Sequence, residues 1–278
     1  MAASVVIVSL PAHPTVSVPA HPTVSLPAHP HVQREAAPPV QREAAPEHRT
    51  IHAVSLGGSK TDLLLHRVRA DLGDAVNAVE RFWGTDWTTE ITVVATGTQA
   101  QFATEAHLDP AGQWGDIAAV AVADQVDLAG RTASGQRIVL APGAADMSDS
   151  ALRIVVTHEL FHLAARTGTA LDAPRWLTEG VADFVARPPT PVPRTAGADT
   201  ALPTDADLDQ PGPQRSTGYD RAWWFARFVA DTYGVEGLRR LYTLACGPGH
   251  ANLGTAVHEA LGVELVELHN RWATWLRS

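Results

Sequence analysis

Residues 149–166 read DSALRIVVTHELFHLAAR. Apolar side chains fall on nearly every side of a helix drawn through this run, so the run predicts a buried helix rather than an amphipathic surface helix. His158, Glu159 and His162 would then lie inside the protein. Unpartnered imidazoles and carboxylates are costly to bury, so the pattern also predicts that these three side chains have partners.

The two histidines are four residues apart, which places both on one face of the helix, while Glu159 points about 100° further round. Two imidazoles one turn apart can both reach one zinc ion at about 2.0–2.1 Å, leaving positions for a third ligand and for a water. Glu159 can meet that water without binding the metal. The HExxH pattern therefore predicts a zinc site with His158 and His162 as ligands and Glu159 as the general base.

A third ligand is predicted on the next helix, where residues 174–183 read PRWLTEGVAD. If this helix packs antiparallel to the first, Glu179 lies level with the two histidines. Gly180 would let the two helices approach closely. Asp183 follows one turn after Glu179 and is placed to accept the free imidazole N–H of one histidine ligand; the alternative for Asp183 is a solvated surface acid.

These two stretches resemble the gluzincin metallopeptidases of clan MA, in which HExxH is followed on the next helix by a glutamate ligand. Here the two parts read HELFH and WLTEGVAD. The WLxEGxA pattern is similar to that of zinc aminopeptidases, and the ExxxD spacing is similar to that of the thermolysin family. The whole arrangement most resembles the small bacterial peptidase MA-like domains, over about residues 63–276. The resemblance implies a zincin-like fold.

Two motifs of related zinc peptidases are missing from this sequence, and their absence restricts the type of peptidase that the resemblance implies. The GxxH continuation of the metzincins is missing, since Ala165 and Gly168 stand in those places, so that group is excluded. A GxMEN exopeptidase signature is also missing upstream of the HExxH helix, so aminopeptidase specificity is not implied. We therefore expect a zinc metallopeptidase of the endopeptidase type, with one Zn²⁺ per chain.

The reaction predicted for this site is hydrolysis of a peptide bond in a peptide or an unfolded protein. Zinc would lower the pKa of a bound water toward neutrality, and Glu159 would take its proton and pass it to the leaving amine. We expect the substrate to add as an extra strand along residues 137–141, beside Ile138, Val139 and Leu140. Binding would then depend largely on backbone hydrogen bonds.

A developing oxyanion also needs a hydrogen-bond donor besides zinc. Tyr219 and His250 are the candidates from the sequence. Tyr219 begins a predicted helix just after a flexible loop, where its phenol could swing into a cleft. The alternative is that Tyr219, close to Trp223 and Trp224, only packs in the core.

The order of predicted elements indicates the α+β class. A long amphipathic helix around residues 63–79 precedes strands at 90–95, 117–122 and 137–141, with a short helix at 99–107. From residue 149 onward the pattern is helical, with helices at 149–166, 173–186, 219–233, 235–245, 251–260 and 264–276. A small mixed sheet with a helix should therefore form the first half, and helices around the HExxH helix the second.

Two segments are expected outside this core. Residues 1–50 repeat proline-rich octapeptides such as PAHPTVSV and PAHPTVSL, which favours an extended, solvated tail with no core of its own. The domain would then span residues 51–278. A loop rich in Pro, Asp and Thr at about residues 187–216 interrupts the helical half and is predicted to be mobile.

Composition excludes several other classes of protein. A formal net charge of -9 argues against a nucleic-acid partner, and Cys246, as the single cysteine, excludes an intramolecular disulfide and any cysteine-based zinc site. No stretch is long and apolar enough for a membrane span, and residues 5–10 are too short for a signal-peptide core. We expect a cytoplasmic protein as the sequence is written, and an extracytoplasmic one if the true start lies upstream.

Two alternatives to a peptidase remain open from the sequence. A catalytically inactive zinc-binding zincin module, acting as a protein-interaction domain, would keep the same ligands; an intact Glu159 favours the enzyme. A purely structural helical domain with a chance HExxH would bind no metal.

Overall fold

The computed structural model describes residues 4–9, 49–112 and 114–278. The strands in this part of the chain are β1 Ser4–Ser9, β2 Thr50–Ser55, β3 Glu90–Ala95, β4 Ile117–Ala123, β5 Gln125–Asp127, β6 Thr132–Ser134 and β7 Arg137–Leu140. Five of them form one mixed sheet in the order β1-β4-β7-β3-β2, and β5 pairs with β6 in a separate hairpin. Strands β2, β3 and β7 are parallel, β4 is antiparallel to β7, and β1 is antiparallel to β4.

The described residues form eight α-helices, two before β7 and six after it. They are α1 Ser59–Trp83, α2 Gln99–Glu105, α3 Asp149–Ala165, α4 Arg175–Ala186, α5 Asp205–Leu208, α6 Pro213–Cys246, α7 Leu253–Leu261 and α8 Leu265–Trp275. The predicted arrangement of a small mixed sheet followed by a mainly helical half is confirmed. None of the helices in the described ranges is long and apolar enough to cross a membrane.

The sheet is covered on both faces, which explains why its central strands are apolar at nearly every position. Alternate side chains of a strand point to opposite faces. In β7, Ile138 and Leu140 join the large core under α1 and α3, whereas Val139 joins a smaller cluster with Phe102 of α2. This two-sided burial is typical of interior strands.

Helix α3 lies between the sheet and the other helices, as its apolar composition predicts. Ser148 caps its first turn by accepting a hydrogen bond from the N–H of Ala151. From Val155 to its end every residue of the helix is buried. The helix packs against α1 on one side and α4 on another, which brings α4 alongside the two histidines.

The predicted break between helices at 219–233 and 235–245 is present within α6, but the first of the two segments begins earlier, at Pro213. Helix α6 runs from Pro213 to Cys246 with a kink at Gly234, whose φ of 80° lies in the left-handed region. Glycine adopts that conformation without steric cost, so the chain bends there and the helix resumes.

The predicted loop at residues 187–216 contains regular structure. A 3-10 turn spans Arg194–Ala198, α5 follows, and α6 already begins at Pro213. The side chain of Arg221 in α6 donates hydrogen bonds to the carbonyl oxygens of Asp199 and Ala201, which ties the segment to the helices. Its mobility stays a prediction.

The predicted tail differs from expectation at both ends. Within residues 1–50, Ser4–Ser9 forms β1, and Thr50 begins β2. Neither strand was predicted from the sequence. The other repeats of the tail lie outside the described residues.

Candidate metal centre

Three predicted ligands come together in the interior. His158 and His162 lie one turn apart on α3, and their Nε2 atoms are 3.0 Å apart. Glu179 on α4 places Oε2 3.2 Å from Nε2 of His158 and Oε1 3.6 Å from Nε2 of His162. All three side chains are at most 4% exposed, so water competes little for their lone pairs.

The spacing of these atoms fits a single metal ion. Two ligand atoms that each lie about 2.1 Å from a tetrahedral ion are about 3.4 Å apart. The two histidine nitrogens are 3.0 Å apart, and one ligand atom from each of the three residues lies within 4.8 Å of the others. The group is the one set of metal-ligating side chains of this kind found among the described residues. A buried His-His-Glu group that could hold a metal ion is therefore present.

Asp183 lies where an orienting carboxylate is expected. Its Oδ1 is 2.8 Å from Nδ1 of His158, on the side of the ring away from Glu179. A proton on Nδ1 donated to Asp183 leaves the lone pair of Nε2 directed at the ligand triangle. Arg187 lies 2.8 Å from the other oxygen of Asp183 and also pairs with Asp220, so the carboxylate is itself held in place.

The electrostatics of the group favour a positive charge at its centre. Burial lowers the pKa of His158, but the carboxylates of Asp183 and Glu179 outweigh it and raise that pKa to about 10. Burial raises the pKa of Glu179, yet His162 and His158 lower it to about 2. At His162 burial dominates, and the pKa is lowered. Two carboxylates around two imidazoles thus favour a proton on His158 and could hold a metal ion instead.

Glu159 differs from every other carboxylate of the group. Neither of its oxygens makes a hydrogen bond of normal geometry with the described residues, although the side chain is fully buried; the backbone of Ala121 comes close enough only to lower its pKa. Burial raises its pKa to about 8, opposed mainly by the charge of His158. A buried carboxylate without a partner is costly, and such groups collect at functional sites.

Arg166 is a residue of this site that the sequence reasoning missed. It is buried, and its guanidinium donates a hydrogen bond of 2.7 Å to the carbonyl oxygen of Ala121 in β4. Its charge also acts on Glu159, whose pKa it lowers slightly. The sequence does contain a signal for Arg166: it follows Glu159 by seven residues, or two helical turns, which places both on the same side of the helix.

Tyr219 is buried in α6 within electrostatic range of the group. Burial raises the pKa of its phenol, and the charges of Glu179 and Asp183 raise it further. His250, the other candidate donor, faces elsewhere: its ring nitrogens lie near the carbonyl oxygen of Ala251 and the carboxylate of Asp172.

The predicted substrate strand is wrong. Ile138, Val139 and Leu140 belong to β7, which pairs with β3 on one edge and with β4 on the other. Both edges already carry backbone hydrogen bonds, so no further strand can add there. The sequence shows an apolar strand but not its neighbours in the sheet.

Gly180 permits a close approach, but to a different helix from the one expected. A Cβ at this position would lie 2.3 Å from the carbonyl oxygen of Ala222 in α6. The close contact that Gly180 permits is therefore between α4 and α6, and not the one between α4 and α3.

Comparison of the chain with known protein families, with curated proteins and with solved structures finds no match.

Proposed function

We propose that the protein is a zinc-dependent peptidase of gluzincin type with a zincin-like fold. His158, His162 and Glu179 would bind zinc, Glu159 would act as general base, and Asp183 would orient His158. The observation that carries the proposal is a buried His-His-Glu triangle of metal-binding dimensions beside a buried carboxylate that has no partner of its own.

The choice of zinc rests on the ligand set. Two imidazoles and one carboxylate are typical of catalytic zinc sites, which keep a fourth position open for water or substrate. A structural zinc site is closed by four protein ligands, and the described residues supply three at this place.

Zinc held by these ligands would lower the pKa of a water molecule toward neutrality and polarise a carbonyl group. Glu159 has two oxygens available to accept the proton of that water and to pass it to the leaving amine. Tyr219 is the candidate donor for the developing oxyanion, because its high pKa keeps the phenol protonated.

An extended substrate would bind at β4 rather than at β7. Among residues 49–278, β4 is the last strand of the sheet on the side of the HExxH helix, and it is the strand that Arg166 contacts. A peptide added there would have its backbone aligned by β4 while a carbonyl faces the metal group.

The metal content of the purified protein tests the site. Full-length protein prepared without added zinc should contain one zinc per chain more than the double variant His158→Ala/His162→Ala, because both keep the histidines of residues 1–50. Equal zinc contents would contradict the assignment and favour a structural helical domain.

Hydrolysis of casein separates catalysis from binding. Glu159→Gln should keep the zinc and lose roughly 100- to 10,000-fold in rate, because the variant removes a base and no ligand. A wild-type protein that binds zinc but cleaves no unfolded substrate would favour the inactive interaction module instead.

A further inference from the structure

The outer edge of β4, the edge that faces away from β7, is covered by a segment from far away in the chain. Strand β1 pairs with it in antiparallel register from Ser4 opposite Ala123 to Ser9 opposite Ile117, with one irregularity between Val8 and Ser9. Between this segment and β2 lie 40 residues, 10–49. A stretch at the start of a proline-rich tail thus completes the sheet.

Backbone alternation shows which groups bind β1. In antiparallel sheets the N–H and C=O of one residue face the same edge, and successive residues face opposite edges. The carbonyl oxygen of Ala118 accepts a hydrogen bond from Ala141, which follows β7, so the even-numbered residues of β4 face β7. Ala121 therefore faces the outer edge, where its register partner is Val6.

The same residue of β4 touches the metal centre. Arg166 donates to the carbonyl oxygen of Ala121, and the backbone of Ala121 also acts on the carboxylate of Glu159. The middle of β1 is therefore bound at the point of the sheet edge nearest to the general base. An extended substrate positioned by β4 in front of Glu159 would need that same edge.

We propose that Ser4–Ser9 is an internal competitor: it occupies the outer edge of β4 as a pseudo-substrate strand, and an extended peptide must displace it to bind. That the edge is occupied follows from the strand pairing alone. That the displaced ligand is a substrate rests on the proposed function.

The chain is long enough for the segment to bind its own domain. Strands β1 and β2 are four positions apart in the sheet, or about 19 Å at the usual strand spacing. Forty residues reach up to about 130 Å when extended. Attachment to the same chain gives an effective concentration on the order of millimolar, so even a weak strand would compete with peptides in solution.

Two proline variants of the full-length protein provide the test. Val6→Pro removes an N–H that faces β4, whereas Ile7→Pro removes one that faces away and serves as the matched control. The probe is a fluorescein-labelled peptide with the sequence of residues 4–10, and its binding is measured by fluorescence anisotropy.

Val6→Pro should bind the probe about tenfold more tightly than the wild type, and Ile7→Pro should bind it as the wild type does. Hydrogen exchange of residues 117–123 should quicken in Val6→Pro without probe and slow again when the probe is added. Equal affinity and equal exchange in all three proteins would overturn the proposal.

A second readout separates this proposal from the proposed function. If the protein cleaves casein, Val6→Pro should lower KM about tenfold and leave kcat unchanged, as expected for relief of competition. If no casein is cleaved but the probe results hold, the proposed function fails and the occupied edge stands. Cleavage with a KM that is the same in all three proteins overturns the competition with substrate.

Discussion

Two groups of buried charge in this protein are built differently. Around Arg49 the guanidinium donates to the carboxylate of Glu80 and to the carbonyl oxygens of Thr85 and Thr88, and it lies 3.3 Å from the centre of the Trp87 ring. Every side of this cation has a protein partner. In the group around His158, by contrast, the carboxylate of Glu159 has none among the described residues.

Burial of charge does not by itself mark a functional site. Arg49 is 7% exposed and joins the start of β2 to α1 and to the segment before β3. Its contacts saturate a planar guanidinium, so its role is structural. The group around His158 differs because it contains a buried carboxylate, that of Glu159, which makes no hydrogen bond of normal geometry with the described residues. Five substitutions test this contrast.

The largest effect is expected from the ligand Glu179. Glu179→Ala removes a ligand and should weaken zinc binding by more than about 100-fold, whereas Asp183→Ala removes only the partner of His158 and should weaken it about 10- to 100-fold. Titration with a competing chelator gives both affinities. A wild-type affinity for Asp183→Ala would show that this carboxylate has no orienting role.

Removal of Arg49 should affect stability and not metal binding. Arg49→Met leaves Glu80 and the carbonyl oxygens of Thr85 and Thr88 without their buried donor, which should lower the free energy of unfolding by about 2–4 kcal/mol. Urea unfolding at neutral pH measures the loss. A change in zinc affinity beyond about twofold would link the two groups and undo the contrast.

A smaller effect of opposite sign is expected at Glu159 in chelator-treated protein. Its pKa is raised from the ordinary 4.5 to about 8, so between these values the folded protein keeps a proton that the unfolded chain has lost. Wild-type stability therefore falls as the pH rises through this window. Glu159→Gln should remove the part of that fall that Glu159 causes, leaving the part that comes from the raised pKa of His158, and should be more stable at pH 8 by about 1–3 kcal/mol. Parallel stability curves would contradict it.

The smallest effect is expected at an exposed ion pair. Lys60 lies 3.0 Å from Asp146, and both side chains are more than 60% exposed. Lys60→Met should change the free energy of unfolding by less than about 0.5 kcal/mol, because water screens such pairs. A loss as large as that of Arg49→Met would mean that completeness of hydrogen bonding does not determine the strength of a charged contact here.

Local patterns predicted most of the helices and the core of the site. Strand β3 and helix α3 begin at the predicted residues because alternation and capping are local properties of the sequence. The two histidines follow from a spacing of four residues within α3, whereas the position of Glu179 depends on how α4 packs against α3. Asp183 was also placed correctly, since one helical turn fixes its position relative to Glu179.

What the sequence did not reveal depends on distant parts of the chain. Strand β1 pairs with residues more than 100 positions later, and no local signal specifies that partner. Strand β2 has only half-buried apolar side chains, Ile51 and Ala53, because it lies at the edge of the sheet. The error at β7 was avoidable, since three consecutive apolar residues are typical of an interior strand.

Gly180 allows α4 to lie close to α6, and this contact helps to determine where the side chains of the candidate metal centre on α4 lie. A methyl group there would stand 2.3 Å from the carbonyl oxygen of Ala222, where ordinary contacts are 3.4–4 Å, so α4 would have to shift by roughly 1 Å. Metal–ligand distances tolerate only about 0.2 Å. Glu179 is the preceding residue and points about 100° away on the same helix, so the contact of α4 with α6 also affects where its carboxylate lies. The close approach of the two backbones at Gly180 therefore helps to fix the position of Glu179 relative to the two histidines.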